Sequence, residues 1–354
     1  MDDLQKLICE LVEIESVNPD LVPSGSGETQ IAAFVADWLE RAGLEVEIVE
    51  ASKPGRPSVV GTKRGSGHGK SLMLNAHMDT VGAGGMKDAF TPVVKDGRVY
   101  GRGATDMKAS LAAIMLTARD APKLKGDLII TAVADEEVAS LGTMAVLEKY
   151  RADFCIVTEP TNLKLCLAHK GFVWLEVETT GVAAHGSRAD LGVDAIALMG
   201  PVLTRVLDLA NTLKTGPRHP LLGTGSIHAS LIEGGQELST YPSKCTVKIE
   251  RRTIPGEDWS NELEGAKVLL ERPPSELAAD HPLARAVAEA AGNPDQVGVA
   301  YWMDMALTNA AGIPTAAYGP LGEGEHADVE WVDLASANRC VEVYKRVASQ
   351  LCNL

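Results

Sequence analysis

Apolar residues recur at helical spacing from the start of the chain. Leu4, Leu7, Ile8, Leu11 and Val12 share one helix face, and Ile31, Phe34, Val35, Trp38 and Ala42 share another, with Gly43 marking the second helix's end. The stretch between them, SVNPDLVPSGSGE, is rich in Pro, Gly and Ser and reads as a loop. LEVEIVE then alternates like a strand, and PSVVGTKRG and KSLMLNAH read as two more strands around the glycine-rich turn GSGHGK. Residues 80–105 are irregular except for a hairpin, FTPVVKDGRVYG, turning at Asp96-Gly97. DMKASLAAIMLTARDA predicts a helix, GDLIITAVADEE a buried strand running out into three acids, GTMAVLEKY a helix, and ADFCIVTEP a strand ending on Glu159. This alternation predicts an α/β fold with an open, mostly parallel sheet.

Near residue 170 the rhythm changes. GFVWLEVETTG alternates with one solvated face, VDAIALMGPVLTRVLDLANTLK is a long amphipathic helix, and GSIHASLIEGG and KCTVKIERR are further strands. Antiparallel strands with a helix between them suggest an inserted α+β domain over 170–280, dividing the first domain into 1–169 and 281–354. From HPLARAVAEAAG onward the helix-strand alternation returns, with IPTAAYGP as a last sheet strand and LASANRCVEVYKRVASQLCN as a closing helix.

Composition narrows the function classes. Hydrophobic residues make up 45% and aromatics 4%, so the core is mainly aliphatic. A net charge of -15 argues against a nucleic-acid or anionic-membrane partner. The acidic N-terminus lacks a signal peptide's basic start, and no run has the roughly 18 consecutive apolar residues of a membrane span. Six scattered cysteines without a CxxC read as reduced thiols of a cytoplasmic protein.

The chemistry gathers where strands end. In an extended segment His77 and Asp79 point to one side, and a histidine beside a carboxylate suits a metal ligand with its orienting partner. Glu136 and Glu137 close the next strand and point to opposite sides if it stays extended; Glu159 closes another, and Asp106 starts a helix. His326 lies in a glycine-rich loop after the last strand. Ligand sites in open α/β sheets form beyond the carboxyl ends of strands. So many acids at one edge repel unless cations hold them, and two divalent ions would neutralise the cluster.

The motifs HMDT, GRGATDMKAS, ADEEVASLGT, IVTEPTNL, AHKG, GVAAHGSRADLGVDAI, GGQELSTYPSKC, ERRTIPGE and GEHADVEWV occur in this order. Together they resemble the acetylornithine deacetylase / succinyl-diaminopimelate desuccinylase family of two-metal amidohydrolases over nearly the whole chain. The resemblance implies a zinc-exopeptidase-like catalytic domain with an inserted ferredoxin-like lid and dimerisation domain. It implies that His77 and Glu159 bind one metal, Glu137 and His326 the other, and that Asp106 bridges them. Asp79 orients His77, Glu136 is the general base, and a non-proline cis peptide follows Asp106. By the same resemblance Arg252 is expected to bind the substrate carboxylate, with Arg251 as its outward neighbour. The resemblance also implies that His185 enters the partner subunit's site of a homodimer to hold the developing oxyanion. The metal is expected to be zinc, with cobalt or manganese compatible with ligands that include no thiolate.

The implied reaction is removal of an acyl group from a small N-acyl amino acid. A dipeptidase or carboxypeptidase on the same scaffold is the alternative, and a non-catalytic homologue would have lost a ligand or the base. Two departures stand out: Ser239 replaces a frequent asparagine, and the stretch 257–272 is too short for a full second lid helix and a strand.

Overall fold

The computed structural model describes residues 2–354, which form two compact units. The first comprises residues up to Leu167, Leu277–Val297 and Met303–Leu354; the second comprises Ala168–Glu276 and Gly298–Trp302.

The first unit is built on a sheet in the order Glu45–Glu50, Pro57–Lys63, Leu128–Val133, Leu72–His77, Phe154–Val157, Thr315–Ala317, Leu165–His169. The middle four strands, from Leu128–Val133 to Thr315–Ala317, are parallel; the flanking pairings are antiparallel. Leu72–His77 and Leu128–Val133 are buried at every position, which is why their sequences run apolar rather than alternating: helices cover both faces. Ala109–Asp120 and Leu334–Leu351 pack together, and Thr29–Arg41 and Leu141–Lys149 lie against Pro57–Lys63. The Gly-rich turn after Pro57–Lys63 does not make a hairpin. Leu128–Val133 inserts between that strand and Leu72–His77, pairing antiparallel with one and parallel with the other.

The hairpin Val93–Lys95 to Arg98–Tyr100 does form, and Asp96 and Gly97 take positive φ of 51° and 76°, the turn that matches strand twist. It joins Trp331–Asp333 and Gly322–Glu323 in a small sheet, and the Arg98 guanidinium stacks 3.6 Å from the Trp331 ring centroid. This sheet frames the loop that carries His326.

The second unit is an antiparallel sheet in the order Ser226–Gly234, Lys244–Thr253, Gly171–Thr180, Lys267–Arg272. Helix Ala195–Thr215 covers one face, setting Met199, Val206 and Leu209 against Val173, Leu175, Val247 and Ile249. Strand order and chain order together are ferredoxin-like, but no helix lies between Glu257 and Ala266. That segment runs in turns and packs Trp259, Leu263 and Ala266 onto the same core. Helix Ala195–Thr215 is long and apolar enough to cross a membrane by length and composition alone; its buried face is the one packed on the sheet.

Candidate metal centre

Parallel strands deliver their C-terminal tips to one edge, and the sheet order places the acids there. His77 ends its strand and is buried, at 1% exposure. Its Nε2 lies 2.9 Å from Asp106 Oδ1 and 3.7 Å from Glu159 Oε1. Across the cluster, His326 Nε2 lies 3.0 Å from Glu137 Oε2 and 3.6 Å from Asp106 Oδ2. Asp106 thus turns one oxygen toward each histidine. Two groups of potential metal ligands share His77: one with Glu136 and Glu159, the other with Asp106 and Glu137, each with its ligand atoms within 4.8 Å of one another.

Asp106 is presented by a tight turn. Gly103 takes φ 76°, and a side chain there would meet Thr80 Cγ2 at 2.6 Å. The Asp106-Met107 peptide is cis. Glu330, buried in the small sheet's loop, accepts the N–H groups of Gly103 (2.9 Å), Thr105 (2.9 Å) and Asp106 (3.1 Å) and is paired with buried Arg102 at 2.8 Å.

The electrostatics are those of negative charge crowded away from water. Burial pushes the Glu159 carboxyl up to about 8, with neighbouring Asp106 and Glu137 adding to the rise. Glu136 stands well above the ordinary carboxylate range for the same reason, with Glu159 and Asp304 as its main neighbours. Burial also raises Glu137, helped by Asp106. Burial would lower His77, but its hydrogen bond to Asp106 and the surrounding carboxylates prevail and hold it well above its usual value. Hydrogen bonds to Asp106 and Glu137 lift His326 to about 10. Asp106 goes the other way: burial opposes ionisation, yet the two histidines hold it well below the usual range. Two imidazoles and four clustered carboxylates are a donor set that suits hard or borderline divalent cations.

Around His77 and the two glutamates the structure differs from the sequence reading. His77 Nδ1 meets the backbone carbonyl of Asp79 at 2.9 Å, while the Asp79 carboxylate stands 3.7 Å from it. The carboxylate instead accepts the backbone N–H groups of Glu136 (3.1 Å) and Glu137 (3.3 Å) and the side chain of Asn18 (2.8 Å). Glu136 and Glu137 also do not continue the strand, which ends at Val133; they begin a turn over 136–139. Their separation comes from that turn, not from strand pleating.

Arg252 and His185 belong to the second unit. Arg252 Nε pairs with Glu250 Oε1 at 2.7 Å, and its guanidinium lies 5.2 Å from the Phe172 ring centroid. Trp174 Nε1 donates to the other Glu250 oxygen at 3.0 Å. Arg251 is not an outward neighbour. It is 1% exposed and is held by Glu262 (2.7 Å) and Glu257 (3.1 Å), tying down the helix-free segment. His185 is exposed, and its Nδ1 contacts Ser187 Oγ (2.8 Å) and accepts the Ser187 N–H (3.2 Å).

Sequence reasoning passed over Asn18, Arg56, Asp135 and Glu330. The only cue was that Asp135 and Glu330 fall inside the motifs ADEEVASLGT and GEHADVEWV.

Residues 73–350 match the family model described as peptidase family M20/M25/M40. The chain is 30% identical to acetylornithine deacetylase of Myxococcus xanthus over 389 aligned residues, covering 99% of this chain and 97% of that one. It is similar in fold to a Staphylococcus aureus tripeptidase (TM-score 0.79, 21% identity, 99% and 98% of the two chains). It is also similar to a dinuclear metal-binding peptidase of the M20 family from Bacillus subtilis (TM-score 0.70, 16% identity, 99% and 97%).

Proposed function

The chain belongs to peptidase family M20/M25/M40 and hydrolyses amide bonds, and on that premise we propose that it removes the acyl group from a small N-acyl amino acid with two divalent ions at the Asp106 centre. The observation that carries this reading is Asp106 itself, with one carboxylate oxygen 2.9 Å from His77 Nε2 and the other 3.6 Å from His326 Nε2. His77, Asp106 and Glu159 would hold one ion; Asp106, Glu137 and His326 the other. Zinc suits these ligands, as do cobalt and manganese. When bound, such ions supply Lewis acidity toward the scissile carbonyl and make water a better nucleophile near neutral pH.

The chain's own residues do the rest. Glu136 takes the proton of the attacking water and returns it to the leaving nitrogen. Arg252 uses its Nε on Glu250 and keeps its two terminal nitrogens for the substrate's carboxylate. His185 has both contacts on Nδ1, so its proton belongs on Nε2, the donor that an oxyanion needs.

That donor serves the partner's site in a homodimer. Ile196, Leu203 and Leu207 are exposed on one face of the long helix, and we assign this apolar stripe to the contact between copies. We assign the domain over 170–280 the lid and dimerisation role. Six cysteines with no disulfide among them support a cytoplasmic setting. The likeness to a tripeptidase supports a second reading, cleavage of small peptides at the same centre. Incubating metal-loaded enzyme with N-acetyl and N-succinyl amino acids, dipeptides and tripeptides, and assaying free amine, tests both. Turnover confined to peptides overturns the deacylase reading.

A further inference from the structure

Behind the candidate ligands lies a buried polar network that the proposed reaction does not use directly. Arg56 is 2% exposed. Its Nε and Nη2 grip the two oxygens of Glu28, each at 2.7 Å, and Nη2 also reaches Asp135 Oδ1 at 2.8 Å. Its Nη1 extends to Asp20 at 2.8 Å. Glu28 and Asp135 have no exposed surface at all. Asn18 Nδ2 links the network forward, donating to Asp135 Oδ1 (3.0 Å) and to Asp79 Oδ2 (2.8 Å). Asp79 in turn holds the N–H groups of Glu136 and Glu137.

Asp135 is the hinge of this arrangement. It takes φ 69°, a left-handed conformation rare for a residue with a side chain, which persists only where surroundings over-determine it. Its carbonyl accepts the N–H groups of Val138, Ala139 and Ser140, and its own N–H donates to Glu28 at 3.2 Å. Both ends of the turn that bears Glu136 and Glu137 therefore meet on Asp135, whose carboxylate Arg56 holds. A planar fork fits this position because it binds one carboxylate with two donors and has a third contact for another, which a lysine cannot reproduce.

We propose that Arg56 is a positioning residue for hydrolysis: through Asp135, and through Asn18 and Asp79, it fixes the Glu136–Glu137 turn so that the two carboxylates serve different roles. This rests on the reading of Glu136 as base and Glu137 as metal ligand.

The test uses the metal-loaded full chain and the best substrate of the panel, with Arg56→Lys, Asn18→Ala and Glu136→Gln as variants. Arg56→Lys keeps the charge but loses the fork. It should lower kcat about 10–100-fold with KM little changed, as for other residues that orient ligands at one remove. The acid limb of its kcat–pH profile should move. Titration of its apoprotein with zinc should show one of two sites weakened. Loss of folded protein alone leaves the pH profile in place and weakens both zinc sites together rather than one. An Arg56→Lys enzyme with the original pH profile and original zinc affinities overturns the proposal, whatever its kcat. If Arg56→Lys does not fold, Asn18→Ala decides by the same readouts, since it cuts the link to Asp79 and leaves the ion pairs intact. An active Glu136→Gln sinks the base reading; an inactive Glu136→Gln beside an unaltered Arg56→Lys sinks this proposal alone.

Discussion

The Nδ1 atom of His77 is held by the backbone carbonyl of Asp79 at 2.9 Å, and the carboxylate of the same residue is spent on the N–H groups of Glu136 and Glu137. A metal-ligating histidine needs an acceptor on its second nitrogen to fix tautomer and ring orientation. Here that acceptor is main chain, so it survives any substitution of Asp79.

Asp79→Asn should therefore leave the His77 ring in place while loosening the turn that bears the two glutamates. The amide offers one acceptor oxygen where three N–H groups converge. We expect kcat to fall about 10–100-fold, with the zinc affinity of the His77 site changed far less than that of the Glu137 site. Zinc titration of the variant apoprotein checks this; preferential loss at the His77 site would restore the carboxylate as the ring's partner.

The adjacent glutamates should separate by substitution. Glu136→Gln cannot accept a proton, so it should retain both ions and lose about 10²–10⁴ in kcat. Glu137→Gln should instead bind fewer ions after dialysis against trace metal. Elemental analysis beside steady-state kinetics measures both, and the reverse pattern would exchange the two roles.

The pH dependence of the apoprotein follows from the crowded charges. Glu159 is raised from 4.5 to about 8, so the folded chain keeps a proton that the unfolded chain releases; that contribution is present below pH 4.5 and lost as pH rises through 8. His326, raised from 6.5 to about 10, acts with the same sign: its contribution is present below 6.5 and lost as pH rises through 10. The Tm of the apoprotein should fall between about pH 6 and about pH 8.5. Divalent ions held by these residues would replace those protons and would bind more tightly as the ligands deprotonate. The Tm gain on adding saturating cobalt should then be larger at the higher of these two pH values, which calorimetry at both tests.

The proposed homodimer is open to a complementation test. His185→Ala and Glu136→Gln are each expected to be inactive. In a heterodimer, one site combines intact Glu136 with intact His185 from the other copy, and the second site lacks both. Activity should return to about half the original value per heterodimer, because catalysis needs the groups assembled in one site. Proven subunit exchange without recovery would remove His185 from the partner's site.

The linear pattern of residues already specifies the elements that make the centre. Buried apolar runs ending in acids specify parallel strands whose tips share an edge, and His77, Glu136, Glu137 and Glu159 are legible there because strand polarity fixes which end each occupies. The same pattern shows that 257–272 lacks room for a full helix and a strand. Packing in three dimensions settled the rest. Alternation along a strand says that Arg251 and Arg252 face opposite ways, but not which way is inward; the packing of Ala195–Thr215 and of Trp259 and Leu263 made Arg251's side the core. The spacing of His77 and Asp79 puts both a carboxylate and a carbonyl within reach of the ring, and only the turn's demand for acceptors settled which one it received. Arg56 and Asp135 were invisible as a pair because they lie on different strands' ends, and a hydrogen bond between such residues leaves no periodicity in the chain. Their contact exists only because Leu128–Val133 inserts beside Pro57–Lys63, a pairing chosen by burial of both strands rather than by any local signal.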